Sequence, residues 1–350
     1  MKFILETLTP VSIGSGEVLS QFTDYVYDND YVYYLDHDLL INELTQKENS
    51  EELLDEFVKT VYDQAKLNTR KRFNLKDFLI KHDIDYKTCC SKKIPVQDEI
   101  KEQIQLHIKA GSRPYIPGSS LKGAIRTALL AFLFEKPGVA NNKREYIGGD
   151  IFGMFSNDVL KYLLVSDTIS LQNDCLRISK FYRYNLKDGK TNIPVVKEVI
   201  NRGSTFKFSI KVNANKGEIS DKFNFLQKDK EEQLLGIMNE YSKKNIEIQL
   251  HLLQKNNTYE TNKIKELYSN LLTIVEKAEP YREAYIRVGS GKTFYDNTVA
   301  QKLSKAELTQ IIKNNYKKAD AGFFPKTLTI IKDSAGIEVP GWVRITRLDN

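Results

Sequence analysis

Between Tyr115 and Arg126 the chain reads YIPGSSLKGAIR, which gathers a glycine turn, two hydroxyls and two cations at the start of a helix. The first N–H groups of a helix have no partner inside it, and the helix dipole favours negative charge there. Ser119 and Ser120 place hydroxyls at that point, and Lys122 and Arg126, spaced i and i+4, leave the same side of the helix. Such a set can hold a phosphate. The same residues also describe an ordinary N-capped amphipathic helix with solvated cations. Gly123 tilts the reading toward a ligand, because a glycine in the first turn costs about 1 kcal/mol of helix propensity and is easier to understand where something approaches closely.

A second cation-bearing set runs from Arg177 to Lys216. It holds ten Lys and Arg against two acids, a local charge of +8, which exceeds the +6 of the whole chain. Phe181, Tyr182 and Tyr184 are interleaved with the cations, as on a surface that holds phosphates and stacks bases. A solvated charged face with aromatic core residues behind it would have the same composition. The candidate RNA contacts are therefore Arg113, Ser119, Ser120, Lys122 and Arg126 around the helix, Lys180, Arg183, Lys190, Lys197 and Arg202 in the ribbon, and Lys292 in a late glycine loop.

Other chemistries fit poorly. Gly289-Ser290-Gly291-Lys292-Thr293 resembles a nucleotide-binding loop, but GxxxxGK needs a glycine five places before Gly291, where Ile286 stands, and Phe294-Tyr295-Asp296-Asn297 opens a helix badly. Metal-free RNA cleavage needs a general base and an acid, usually histidines. His37, His82, His107 and His251 fall in different elements, none beside a glycine loop, and Asp24 precedes a strand, where a turn or cap suits it. Three cysteines, two of them adjacent, form neither a disulfide framework nor a zinc site with these histidines. No catalytic residue, metal or cofactor is expected.

The elements that must position these residues can be read from periodicity. Lys2 to Ile13 is extended, Gly14-Ser15-Gly16 is a loop, and Tyr25-Val26-Tyr27 with Tyr31 to Leu35 forms a hairpin around Asp28-Asn29-Asp30. Helical spacing follows from Asp38 to about His107. The clearest helix spans Ser119 to Phe134, with Leu121, Ala124, Ile125, Ala128, Leu129 and Phe132 on one face. Strands are expected at Tyr162 to Val165, Leu176 to Ser179, Thr205 to Val212, Ala284 to Val288, Leu328 to Ile331 and Trp342 to Ile345. Helices are expected at Phe223 to Lys243, Thr258 to Lys277 and Lys305 to Tyr316. Strands and helices without regular βαβ alternation give an α+β fold. The 350 residues suffice for two domains or one core with a large insertion, and 52 basic against 46 acidic residues suggest a polyanionic partner only where the charge concentrates. MKFILETLTPVSIG has no uninterrupted apolar stretch and no run approaches the ~20 apolar residues of a membrane helix, so a cytoplasmic chain without membrane contact is expected.

IPGSSLKGAIRTAL resembles the signature of the RAMP superfamily, CRISPR proteins built on an RRM-like, ferredoxin-like core. LTPVSIGSG is similar to that family's first strand and loop, GDIFGM (Gly149 to Met154) to its phenylalanine-glycine element and RVGSGK (Arg287 to Lys292) to its late glycine loop. With PKTLTI and PGWVRI, the order is most similar to the fifth Csm subunits of type III-A effector complexes. The resemblance implies a RAMP core over 1–217, interrupted by a helical insertion at 38–110, and a C-terminal α+β lobe over 218–350. It implies a non-catalytic subunit that binds CRISPR guide RNA, caps the backbone near the guide 3′ end and supports guide maturation, with a thumb-like hairpin tipped by Asp188-Gly189-Lys190. The implied partners are the guide RNA, the neighbouring RAMP backbone subunit and the small helical subunit, with target RNA and host trimming nucleases beyond them. A RAMP endoribonuclease, a pure protein scaffold or another RAMP subunit of the same complex are the alternatives. The family's cutting aspartate cannot be matched to Asp24 residue by residue.

Overall fold

The computed structural model describes residues 1–65, 73–134, 148–316 and 324–349. It opens with β1 (Lys2–Thr7), in which Phe3, Leu5 and Thr7 alternate inward, then β2 (Gly14–Leu19) and the hairpin β3 (Tyr25–Asp28) and β4 (Tyr31–Leu35). Three helices, α1 (His37–Thr45), α2 (Ser50–Ala65) and α3 (Leu75–Lys81), lead to β5 (Cys90–Pro95), β6 (Ile104–His107), β7 (Lys109–Ala110) and β8 (Arg113–Pro114). Next come α4 (Gly118–Leu133), α5 (Gly149–Phe152), β9 (Leu163–Val165), β10 (Ile169–Ser170), β11 (Leu176–Asn185), β12 (Val195–Ile200) and β13 (Thr205–Val212). The chain ends with α6 (Gln233–Leu253), α7 (Tyr259–Glu276), β14 (Glu283–Arg287), α8 (Lys305–Asn315), β15 (Thr327–Asp333), β16 (Gly336–Glu338) and β17 (Trp342–Arg347).

Two large sheets organise the molecule. The first runs β10-β13-β1-β17-β14, with β9 also on β13, and every pairing in it is antiparallel. Leu121, Ala124, Ile125 and Ala128 of α4 share one core with Phe3, Leu5, Phe206 and Phe208 of the sheet and with Leu234 and Met238 of α6. Read in chain order, β1, α4, β10, β13, α6 and β17 make the βαββαβ path of an RRM-like core, so the expected α+β class holds. The second sheet runs β16-β15-β11-β12-β6-β2, with β12 and β6 parallel. Both sheets cross the boundary expected at 217/218, since β17 lies between β1 and β14 and β15 pairs with β11.

The insertion differs from its expected form. Its helices end at Lys81, and residues of β5 and β6 then form strands. Lys92 and Lys93 obscure that period, but Ile94 and Val96 are buried alternately with exposed neighbours, as strand geometry requires. The α1–α3 helices and the β3-β4-β5 sheet close a separate apolar cluster around Leu44, Leu53 and Leu79. Residues 66–72 of the insertion lie outside the described residues. Gly14-Ser15-Gly16, expected as a loop, begins the edge strand β2. Among the described residues no helix is long and apolar enough to cross a membrane.

Candidate nucleic-acid interface

Three glycine-bearing stretches far apart in the chain are hydrogen-bonded into one knot. The Gly341 N–H donates to Pro10 O at 2.8 Å, the Ser290 N–H to Ser12 O at 2.7 Å and the Val288 N–H to Gly341 O at 2.8 Å. Trp342 N–H donates to Thr9 Oγ1 at 2.9 Å. Gly289 has φ +70°, and a Cβ there would sit 2.5 Å from Ser12 O, so only glycine fits the crossing. Behind the knot Arg287 is buried and donates to Asp296 at 2.9 Å, to Pro340 O at 2.9 Å and to the Tyr268 hydroxyl at 3.3 Å. Asp296 also accepts from the Thr293 N–H and hydroxyl, at 2.7 and 2.9 Å. A buried pair this well bonded holds the loop in one conformation.

The knot carries two lysines that, among the described residues, form no ion pair of their own. Lys197 of β12 donates to the Ser290 hydroxyl at 2.7 Å, and its ammonium lies 5.4 Å from the Phe181 ring centroid. Among the described residues no carboxylate pairs with it, and burial lowers its pKa below the ordinary lysine value. Lys292, two residues past Ser290, is half-buried with no hydrogen-bond partner among the described residues. Burial lowers its pKa too, and Asp296, which opposes that shift, is already bound to Arg287. Desolvated ammonium groups of this kind gain from an external anion. Opposite Lys197 in the ladder, the buried Ser179 hydroxyl has no partner. Phe181, Val199 and Ile331 form a small apolar cluster on the same sheet face, and the exposed Arg183 stands on that face by strand alternation.

His107 ties this knot to the start of α4. The Ile13 N–H donates to its Nδ1 at 3.1 Å, so the proton sits on Nε2, which donates to Tyr115 O at 3.0 Å. Burial drives its pKa down to about 4, and its backbone N–H donates at 3.0 Å to Glu198, a buried carboxylate paired with Lys109 at 2.8 Å. Contrary to expectation, one histidine therefore does lie against a glycine segment. Both ring nitrogens are occupied, which suits a strut and not a proton shuttle. His37 pairs with Asp24, whose carboxylate also accepts from Ser20 N–H, a turn role for both.

The tip of α4 departs from the expected phosphate cradle. The Gly118 N–H donates to the Asp167 carboxylate at 2.7 Å, so the protein itself supplies the anion there. Gly118 is glycine because the backbone of Val165 and Ser166 lies where a Cβ would be. Pro117 is the N-cap and neither serine hydroxyl caps the helix; Ser119 is exposed and Ser120 half-buried. Lys122 donates to Leu160 O at 2.9 Å, and the Arg126 guanidinium lies 5.1 Å from the Phe152 ring centroid.

The remaining candidates are dispersed. Arg113 is exposed on the β7–β8 hairpin, between the His107 strut and α4. Lys180 faces the opposite side of the second sheet from Lys197. Lys190 and Arg202 are exposed in the turns at either end of β12, with Lys190 roughly 20 Å along β11 from the Ser179–Lys197 pair by strand rise. The expected thumb is not a free projection. β11 and β12 are hydrogen-bonded on both sides by β15 and β6, and the Tyr184 hydroxyl near the tip meets Thr258 Oγ1 at 2.7 Å. The open half of the first sheet, on β1 and β13, presents Ile4, Glu6, Lys207, Ser209 and Lys211 and no aromatic ring, so it is not the base-stacking platform of a typical RRM. Among the described residues no group of three or more metal-ligating side chains exists.

With the geometry in hand, comparison with known proteins is informative. The RAMP superfamily profile matches residues 4–295. Csm5 of Methanocaldococcus jannaschii, described as a CRISPR system protein, is 27% identical over 395 aligned positions spanning 100% of this chain and 89% of that one. Csm5 of Streptococcus thermophilus is 27% identical over 60% of this chain and 63% of its own. Among solved structures, a chain of the cryo-EM Csm–crRNA–target RNA ternary complex of a type III-A CRISPR-Cas system superposes with a TM-score of 0.72 at 20% identity, covering 99% of this chain and 100% of that chain. The crystal structure of T. onnurineus Csm5 gives 0.64 at 18% identity over 97% and 99%.

Proposed function

The chain belongs to the RAMP superfamily, and from that premise we propose that it is a guide-RNA-holding subunit of a type III-A Csm effector complex, acting by binding and not by cutting. The observation that carries this is the pair of half-buried lysines, Lys197 and Lys292, set on the glycine knot and, among the described residues, without an ion-paired carboxylate. Phosphates of a single strand supply the missing charge, so affinity is largely independent of sequence and falls steeply with salt. The exposed Arg183, on the same sheet face as Lys197, extends the cationic surface beyond the knot. In this reading the neighbours are a RAMP backbone subunit and the small helical subunit of the complex, and the chain caps the guide 3′ end and supports guide maturation; the likeness to a chain of a Csm–crRNA–target RNA complex supports it. The occupation of both His107 ring nitrogens by Ile13 N–H and Tyr115 O supports binding without cutting.

Ultraviolet crosslinking of the assembled complex, followed by peptide mapping, tests this. Crosslinks are expected on peptides containing Phe181 with Lys197 and Ser290 with Lys292. A complex whose guide crosslinks to neighbouring subunits but nowhere on this chain contradicts it.

A further inference from the structure

Opposite faces of the second sheet meet opposite charges. Lys197 and Arg183 share one face, and Tyr182 stands on the other by strand alternation. Burial first, and then Asp98, Glu102 and Asp333, raise the Tyr182 phenol above its ordinary pKa. Glu102 also lines a cleft of about 830 Å³ whose wall comes from two separately packed bodies. Phe73 and Leu75 belong to the α1–α3 cluster, and Tyr25, Tyr27 and Ile100 to the main core. We infer that this cleft docks a basic segment of a neighbouring protein subunit, with a lysine or arginine side chain seated between its aromatic rings and its carboxylates. The inference rests on the proposed function only in taking that partner from the same complex.

Charge decides the class of occupant. The two lysines of the lining are paired within the chain, Lys76 with Asp28 at 2.6 Å and Lys101 with Glu99 at 2.8 Å. Glu102, and Asp30 and Asp98 close to Tyr27, form no ion pair among the described residues. Carboxylates in a cleft with low-dielectric walls focus a negative field, which repels a phosphate backbone and draws in a cation. The Tyr25 hydroxyl donates to Glu102 O at 2.7 Å, and the Glu102 carboxylate accepts from the Lys101 N–H at 3.0 Å, which fixes that charge in the wall. Half-buried Phe22, Tyr27 and Phe73 offer ring faces to an ammonium or guanidinium group. Gln21, also in the wall, keeps a side-chain oxygen without a hydrogen-bond partner among the described residues. At the edge of the same cleft Ile193, in the β11–β12 turn and 81% exposed, adds an apolar contact that a peptide covers and a small cation does not. Aromatic and apolar walls with a few placed charges, at this volume, are the make-up of a site that encloses a ligand.

The test titrates the labelled full chain, at several salt concentrations, into the guide-bound complex assembled from the other subunits without it. Glu99→Lys with Glu102→Lys should weaken docking about 10-fold or more, because like charges then face each other. Glu99→Gln with Glu102→Gln should weaken it by about 3-fold and make it less sensitive to salt. Both pairs should keep the wild-type Tm within about 3 °C, as surface changes do, and the isolated variants should bind single-stranded RNA no more weakly than wild type. Docking of the charge-reversed chain as tight as wild type overturns the inference and leaves the proposed function standing. So does a loss of RNA binding in step with docking, which would trace the effect to the guide, or ultraviolet crosslinking of the guide to peptides carrying Tyr27, which would put RNA in the cleft. A wild-type chain that neither binds RNA nor enters the complex overturns the proposed function itself.

Discussion

The start of α4 and the glycine knot have the same ingredients: glycines, serine hydroxyls and two lysine or arginine side chains. They differ in where the negative charge comes from. At α4 the protein provides it, with the Asp167 carboxylate on the Gly118 N–H and a main-chain carbonyl on Lys122. At the knot, among the described residues, Lys197 has a hydroxyl and the Phe181 ring and Lys292 has no hydrogen-bond partner. A motif that looks like an anion site is open to an outside anion only where its own fold leaves the anion out, and that is a property of tertiary contacts.

The two regions are joined by His107, so protonating it should separate them. The folded pKa near 4 lies below the unfolded value of 6.5, so the unfolded chain takes up the proton first as pH falls. The stability due to neutral His107 is complete above 6.5 and is lost between 6.5 and 4, about 3 kcal/mol in all. Denaturant titrations from pH 7 to 4 should show a smaller loss for His107→Gln than for wild type. Equal slopes would mean that the ring is not the strut. A smaller effect is expected from Asp167→Ala, which removes the anion at the helix tip. It should cost about 1 kcal/mol, read as a lower denaturant midpoint, and leave RNA affinity unchanged. A marked change in RNA affinity would show that RNA reaches the tip after all.

Local pattern carried much of the fold. α4 was readable to within a residue because Leu121, Ala124, Ile125 and Ala128 recur at helical spacing, and the β3–β4 hairpin because Asp28-Asn29-Asp30 makes its turn. β12 was not, since Lys197 and Glu198 interrupt its valines. Glu198 is fully buried only because Tyr34, His107 and Lys109, all about 90 residues or more away, converge on it. The site was partly legible. Lys197 and Lys292 could be named as cations, but nothing local joins residue 197 to Ser290. Asp167, 49 residues beyond Gly118, could not be seen filling the cradle.

The central claim is that RNA phosphates meet the knot and not the helix tip. Its most direct test is the slope of log Kd against log salt for single-stranded RNA, measured on Lys197→Ala with Lys292→Ala and on Lys122→Ala with Arg126→Ala. Two lost phosphate contacts at the knot should flatten the slope by about 1.4, and the helix pair should flatten it by less than about half as much. A knot pair that leaves the slope unchanged while the helix pair flattens it would contradict the account.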